Sequence, residues 1–379
     1  MKVWLIRGDH MDLRETIIKQ KPRDNSGSRS ANRFEYQKNW ALCKLLELYL
    51  TRKDYLLIFE YHDDIIILDS EVNPQKVEFY QVKTKDHSEW TLNDLISSSK
   101  AKRKIIPSIL SKMYINKLNF PSSTQSLNLV SNQKYNIKLK KSKGLSNNKN
   151  RICILDVDSA EVKKIVSNLR GDLQLTEDPK FEDITFLNVS DIGIYNHNNY
   201  SMGEIAKFLD KIDPNGKYNV ASIYRALMDE IRLRNNYEWE VVKLSELIDK
   251  KSIGSSYFSG IVSSICKSHD LDEIWTNNIN SYLQGEGETI PKIIKIRDQW
   301  KRYEVDRMQC GSNDILLKIK NRILEIINQD YKDESIKLRD RLYRALDNYK
   351  RNRPCDDSIY SEDYIKAIIL MEYCLYEEE

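Results

Sequence analysis

Residues 59–85 read FEYHDDIIILDSEVNPQKVEFYQVKTK, and the folding of this stretch decides the rest. Ile65-Ile66-Ile67-Leu68 is a short apolar run of the kind a buried strand needs, and Asn73-Pro74 supplies a turn after it. From Lys76 to Lys85 the pattern alternates. Val77, Phe79, Gln81 and Lys83 share one face, with Glu78, Tyr80, Val82 and Thr84 on the other. Period two therefore sets Gln81 beside Lys83. If the two strands are sheet neighbours, Asp64 at the start of the first comes close to both. A carboxylate, an amide oxygen and an ammonium at one spot can hold a hard cation and a water against a phosphate.

Upstream, Asn32 to Leu50 has helical spacing, with Phe34, Gln37, Ala41, Leu45 and Leu48 on one stripe. Gln37 thus falls on the apolar face, where an amide must find a partner, whereas Glu35 points outward. Residues 19–31, KQKPRDNSGSRSA, carry turn formers and Arg23 and Arg29, and read as a basic loop close to Arg33. Downstream, residues 88–104 read as a polar connector and helix ending in Lys100-Ala101-Lys102-Arg103-Lys104, the densest positive charge in this half. Either basic cluster is a solvated face or a phosphate contact. An amphipathic helix over 105–118, a strand or strand pair over 127–139, and strands at 152–157 and 184–189 flanking a helix over 160–169 add a β-α-β pattern to the same sheet. A helix over 202–212 closes this region, and Asp213-Pro214-Asn215-Gly216 marks a boundary.

From Tyr218 onward nearly every segment has apolar residues at helical spacing, as in Leu316, Ile319, Ile323 and Ile326. Tyr224, Trp239, Trp275, Trp300 and Tyr303 are expected as core or interface anchors. There is no P-loop, dinucleotide glycine fingerprint or nucleophile elbow. Lys+Arg 60 against Asp+Glu 57 leaves +3, so any nucleic-acid surface is local rather than global. A mean hydropathy of -0.60 and the lack of a long apolar run argue against a membrane span. The six cysteines stand singly, without CxxC, as expected for reduced thiols in a cytoplasm.

The Asp64, Gln81-Val82-Lys83 arrangement resembles the PD-(D/E)xK nuclease superfamily, in the version where Gln replaces the second acid. Ser26-Gly27, Phe34-Glu35-Tyr36-Gln37, Glu60 with Asp63-Asp64, and Gln81-Val82-Lys83-Thr84-Lys85 are similar, in that order, to the Cap-type double-stranded DNA endonuclease domain of bacterial anti-phage systems. That domain occurs in CBASS effectors, in Lamassu nuclease subunits and beside HerA-type translocases. The likeness spans about residues 20 to 210.

The resemblance implies an α/β restriction-endonuclease-like core, a central mixed sheet flanked by helices, over residues 12–213. An all-helical partner-binding or oligomerisation domain would follow over 218–379. It implies Mg2+ or Mn2+ held by Asp64, Gln81 and the Val82 carbonyl, with Lys83 beside the attacking water. Glu60 would be a second acid and Gln37 the helix's contribution. Arg29, Arg33, Lys85, Lys102 and Arg103 are the candidate contacts to double-stranded DNA. With a neutral Gln81 the site has one anionic ligand fewer than the D…ExK form, so weak metal affinity and a preference for manganese are expected. The helical second half is more like Lamassu or HerA-associated subunits than a cyclic-nucleotide sensor, which implies an SMC-like or HerA-like ATPase partner and activity as an oligomer. The alternative is a non-catalytic nucleic-acid-binding or scaffold subunit on the same fold.

Overall fold

The computed structural model describes residues 26–101, 104–214, 216, 218–266, 271–308, 314–330 and 336–376. The strands are β1 (Leu56–Phe59), β2 (Ile65–Leu68), β3 (Val77–Val82), β4 (Trp90–Thr91), β5 (Ser99–Ala101), β6 (Lys104–Ile106), β7 (Thr124–Ser131), β8 (Tyr135–Asn136), β9 (Arg151–Cys153), β10 (Thr185–Val189) and β11 (Ser252–Gly254). Seven of them build one sheet in the order β11-β1-β2-β3-β7-β10-β9. β7 runs parallel to both β3 and β10, and the remaining pairs are antiparallel, so the sheet is mixed.

Alternation along the strands sends side chains into two cores. Leu57, Phe59, Ile65, Ile67, Tyr80, Val82 and Val130 face one, while Leu56, Ile58, Ile66, Phe79, Leu127 and Leu129 face the other. The first face is covered by α1 (Ser26–Thr51), the second by α2 (Leu92–Ile96), α3 (Ile109–Asn119) and α4 (Ser159–Leu173). α5 (His197–Ile212), α6 (Val220–Asn235) and α8 (Ser255–Cys266) join α1, while α7 (Leu244–Lys251) leads directly into β11. A separate helical core begins at Leu271. It is built by α9 (Leu271–Ile274), a π-turn over Trp275–Ile279, α10 (Asn280–Gly285), α11 (Ile290–Met308), α12 (Asp314–Asp330), α13 (Leu338–Arg351) and α14 (Glu362–Tyr376). Among the described residues no helix is long and apolar enough to cross a membrane.

Three expectations change. Residues 26–31, read as loop, are the first turns of α1, because Asn32 donates from Nδ2 to the Ile194 carbonyl at 3.0 Å and docks that end of the helix. Phe34, counted on the apolar stripe, is exposed, and Tyr36 is buried in its stead. Lys100, Ala101 and Lys104 of the basic run lie in the antiparallel strands β5 and β6 and not on a helix. Here α2 stops after Ile96, where Ser97 turns to an extended backbone and the Ser98 hydroxyl donates to the Asp172 carboxylate of α4 at 2.5 Å. Lys102 and Arg103 fall between the two strands, outside the described residues. Trp275, Trp300 and Tyr303 are core residues, and Tyr224 is buried, but Trp239 is 78 % exposed.

The division expected at residue 213 is not where the apolar cores divide. Ile223, Leu227, Met228 and Ile231 of α6 and Phe258, Ile261, Val262 and Ile265 of α8 are buried in the first core, and β11 is an edge strand of the main sheet.

Candidate active site

β2 and β3 pair with Ile65 opposite Tyr80, which carries Asp64 opposite Gln81 one step further on. The Asp64 Oδ2 accepts from Gln81 Nε2 at 2.8 Å and from the Val82 backbone N–H at 2.7 Å. Asp64 keeps the parity of Ile66, and Gln81 and Lys83 that of Phe79, so all three belong to the same face of the sheet. Lys83 follows β3 and is tied by its backbone N–H to the Val130 carbonyl at 2.9 Å. Among the described residues its ammonium has no hydrogen-bond or ion-pair partner. Its charge nonetheless reaches Glu60 and Asp63, favouring the ionised form of each.

The acids arrive on the turn between β1 and β2. Glu60 takes a left-handed backbone, φ 44, and its N–H closes the turn on the Asp64 carbonyl at 3.0 Å. Burial, then repulsion from Asp64, pushes the Glu60 carboxyl above its ordinary value, against the pull of Lys251, Lys83 and Lys38. Asp63 is pushed up to about 7, again by burial first and by Asp64 second. Its Oδ1 accepts from the Asp64 N–H at 3.0 Å and its Oδ2 from Asn116 Nδ2 of α3 at 3.0 Å. His62 packs its ring on Tyr61 and Phe120 at centroid distances of 4.6 and 5.0 Å.

Of the other candidates, Gln37 reaches the site only indirectly, donating from Nε2 to the Val82 carbonyl at 3.3 Å. That carbonyl is one of the expected ligand atoms, and Gln37 fixes its peptide. Glu35, expected in solvent, is half-buried. Burial pushes its carboxyl up, but hydrogen bonds from Arg232 and Lys38 outweigh this and hold it below its ordinary value. Arg29 and Arg33 are exposed on α1, and Arg33 lies 3.7 Å from Asp86. Lys85 differs from expectation. Its ammonium is paired to Asp94 at 2.8 Å, donates to the Glu89 carbonyl at 3.1 Å and stands 4.6 Å over the Trp90 ring. Its charge is satisfied inside the protein, so it is a poor phosphate contact.

A cleft of about 890 Å³ opens beside Glu60, bounded by Phe34, Glu35 and Lys38 of α1 and by Trp239 and Lys251 beyond α6. Asp63 and Lys251 are the site residues that carried no assigned role in the sequence. The Asp63-Asp64 pair was a visible signal, while Lys251 had none, being brought in only by tertiary packing.

The donor set suits a divalent cation. Glu60 and Asp63 are raised by burial and by the Asp64 charge, a repulsion that a cation relieves, and hard oxygens are what Mg2+ and Mn2+ take. Among the described residues no three His, Cys, Asp or Glu side chains already converge at ligand spacing. The Gln81 amide and the Val82 carbonyl would therefore have to complete the set.

The family model described as "Cap4, dsDNA endonuclease domain" matches residues 25–234, which hold β1, β2, β3 and every residue of the site but Lys251. Over 334 residues, covering 85% of each chain, the protein is also similar to the Lamassu protein LmuA of Bacillus cereus (strain VD014), at 22% identity. With more than half of its length matched by that model, and with Asp64, Gln81 and Lys83 brought to one face of a mixed sheet, the chain belongs to the Cap4 dsDNA endonuclease domain family.

Proposed function

We propose that this chain is a metal-dependent DNA endonuclease acting as the effector of a Lamassu-like defence system in the cytoplasm. The observation that carries the reading is the cross-strand bond of Asp64 to Gln81 and to the Val82 N–H, with the Lys83 ammonium, unpaired among the described residues, beside it. A cation held by Asp64, Gln81 and the Val82 carbonyl would supply Lewis-acid stabilisation of a phosphate oxygen and a more acidic water. Lys83 then has two tasks. Its ammonium faces the acids, where it lowers the cost of deprotonating an attacking water and balances charge that develops on the phosphate. Gln37 holds the Val82 peptide, and Asn116 holds Asp63, so that the acids do not swing apart. Arg29 and Arg33, exposed on α1, would meet the duplex backbone as charges in water.

Two carboxyls raised by burial and by the Asp64 charge, next to an ammonium with no partner among the described residues, cost stability, which favours catalysis over a scaffold role. Similarity to LmuA supports a multi-subunit setting. On this reading an SMC-like or HerA-like ATPase is the partner and oligomerisation the activating step. The test is to incubate the chain, alone and with its partner subunits, with plasmid DNA and with structured RNA under Mg2+, Mn2+ or chelator. Metal-dependent nicking or linearisation of the plasmid is expected. Cleavage of RNA alone, or cleavage insensitive to chelator, contradicts the reading.

A further inference from the structure

The acidic turn has a contact that the chemistry of Asp64, Gln81 and Lys83 does not use. Lys251, the last residue of α7, is 8 % exposed, and its ammonium donates to the Glu60 carbonyl at 2.9 Å, across 191 positions of chain. An ammonium taken out of water must be hydrogen-bonded or paired, so a lysine at this place is held there by what it meets. What it meets is a backbone atom and not a carboxylate: among the described residues Lys251 forms no ion pair, although its charge lies close enough to favour ionised Glu60. The peptide it grips is also the strained one. Glu60 is in the left-handed region, disfavoured for a residue with a Cβ, and its own N–H is bonded to the Asp64 carbonyl. Lys251 and Asp64 thus hold Glu60 from both sides, and the turn so fixed carries the acids.

The other end of this tie is rigid. Lys251 runs directly into β11, where Ser252 lies opposite Ile58 of β1, and the Ser252 carbonyl accepts from Arg234 Nε at 2.7 Å. Arg234 is buried and paired with Glu230 of the same helix, whose carboxylate also accepts from the Tyr257 hydroxyl at 3.0 Å. α6, β11 and α8 are therefore joined by buried polar bonds behind the turn. The family match ends at residue 234, so Lys251 reaches the turn from outside the matched segment.

We propose that Lys251 is a positioning residue of the active site: it fixes the Glu60–Asp64 turn from outside the matched nuclease segment, and so couples the alignment of the acids to the α6–β11–α8 layer. Its consequence for cleavage rests on the nuclease reading, while the hold on the turn does not. The test compares Lys251→Met and Lys251→Arg with wild type in the full chain, by hydrogen exchange without metal and by plasmid cleavage. Loss of one charge-assisted bond is expected to speed exchange of the 60–64 amides about ten-fold in Lys251→Met while β3 and β7 amides keep their rates, with Lys251→Arg near wild type. The same Met variant is expected to lose about ten-fold in kcat with KM for DNA unchanged. Unchanged exchange in the turn overturns the proposal. So does exchange sped equally across the whole sheet, which would mark Lys251 as merely structural. If wild type cleaves no DNA with its partners present, the nuclease reading fails, and the exchange data still decide the positioning role.

Discussion

Gln81 sets a neutral side chain against Asp64, and its amide donates where a second carboxylate would repel. This makes the metal-free site easier to fold and weaker as a cation site. Gln81→Glu is therefore expected to destabilise the metal-free chain by about 1–3 kcal/mol, since a hydrogen bond is replaced by like charges. The same change is expected to lower the metal concentration for half-maximal cleavage, because one more anionic oxygen is available. Thermal melts with chelator, and cleavage titrated with Mn2+, measure the two effects. A variant that melts like wild type and needs as much metal would contradict this account of the Gln. At this scale the sequence was most legible where chemistry follows period two. Asp64, Gln81 and Lys83 share a face because strand alternation leaves no other arrangement once β2 and β3 pair. Lys85 and Glu35 were not legible, because their ion pairs are with Asp94 and Arg232, and no spacing rule reports such pairings.

Elements followed from pattern where burial was one-sided and failed where polar side chains found distant partners. The strands of the 59–85 stretch appear where their apolar runs place them, whereas the helix expected to run on past Ser97 stops after Ile96, with Ser98 bonded to Asp172 and the chain entering the paired strands β5 and β6. In the helical core, α13 and α14 are joined by Glu362, which accepts from Lys350 at 2.6 Å and lies 2.9 Å from Lys366. These lysines hold its carboxyl down at about 2, against an ordinary value of 4.5. A depressed carboxyl stabilises the fold above its unfolded pKa, and that contribution is lost as pH falls from about 4.5 towards 2. Glu362→Gln should therefore be less stable than wild type at pH 7, with the difference vanishing near pH 2. Glu362 is about half exposed, so solvent screening keeps the effect under about 1 kcal/mol and reduces it further in high salt. Denaturant melts of the two proteins across that range are the measurement, and a difference that grows on acidification would reverse the assignment.

The whole molecule divides differently from its most obvious punctuation. Asp213-Pro214 is a real break between α5 and α6, yet the helices after it fill the first core and β11 closes the sheet edge beside β1. Local turn signals mark where a chain bends; they do not say which core the next helix joins. A chain ending at 213 would leave the apolar face of α1 bare where α6 and α8 pack, and is expected to be insoluble or to melt without cooperativity. A chain ending at 266 keeps that core and should melt cooperatively. A cooperative melt of the shorter chain would contradict this division.

The central claim is that Asp64 and Lys83 perform phosphodiester hydrolysis, and plasmid cleavage by wild type, Asp64→Ala and Lys83→Ala in Mg2+ or Mn2+ tests it most directly. Wild type, with its partner subunits present, is expected to cut, and each variant to lose about a hundred-fold or more of that rate while keeping the wild-type fold. Cleavage that survives both substitutions would contradict the account.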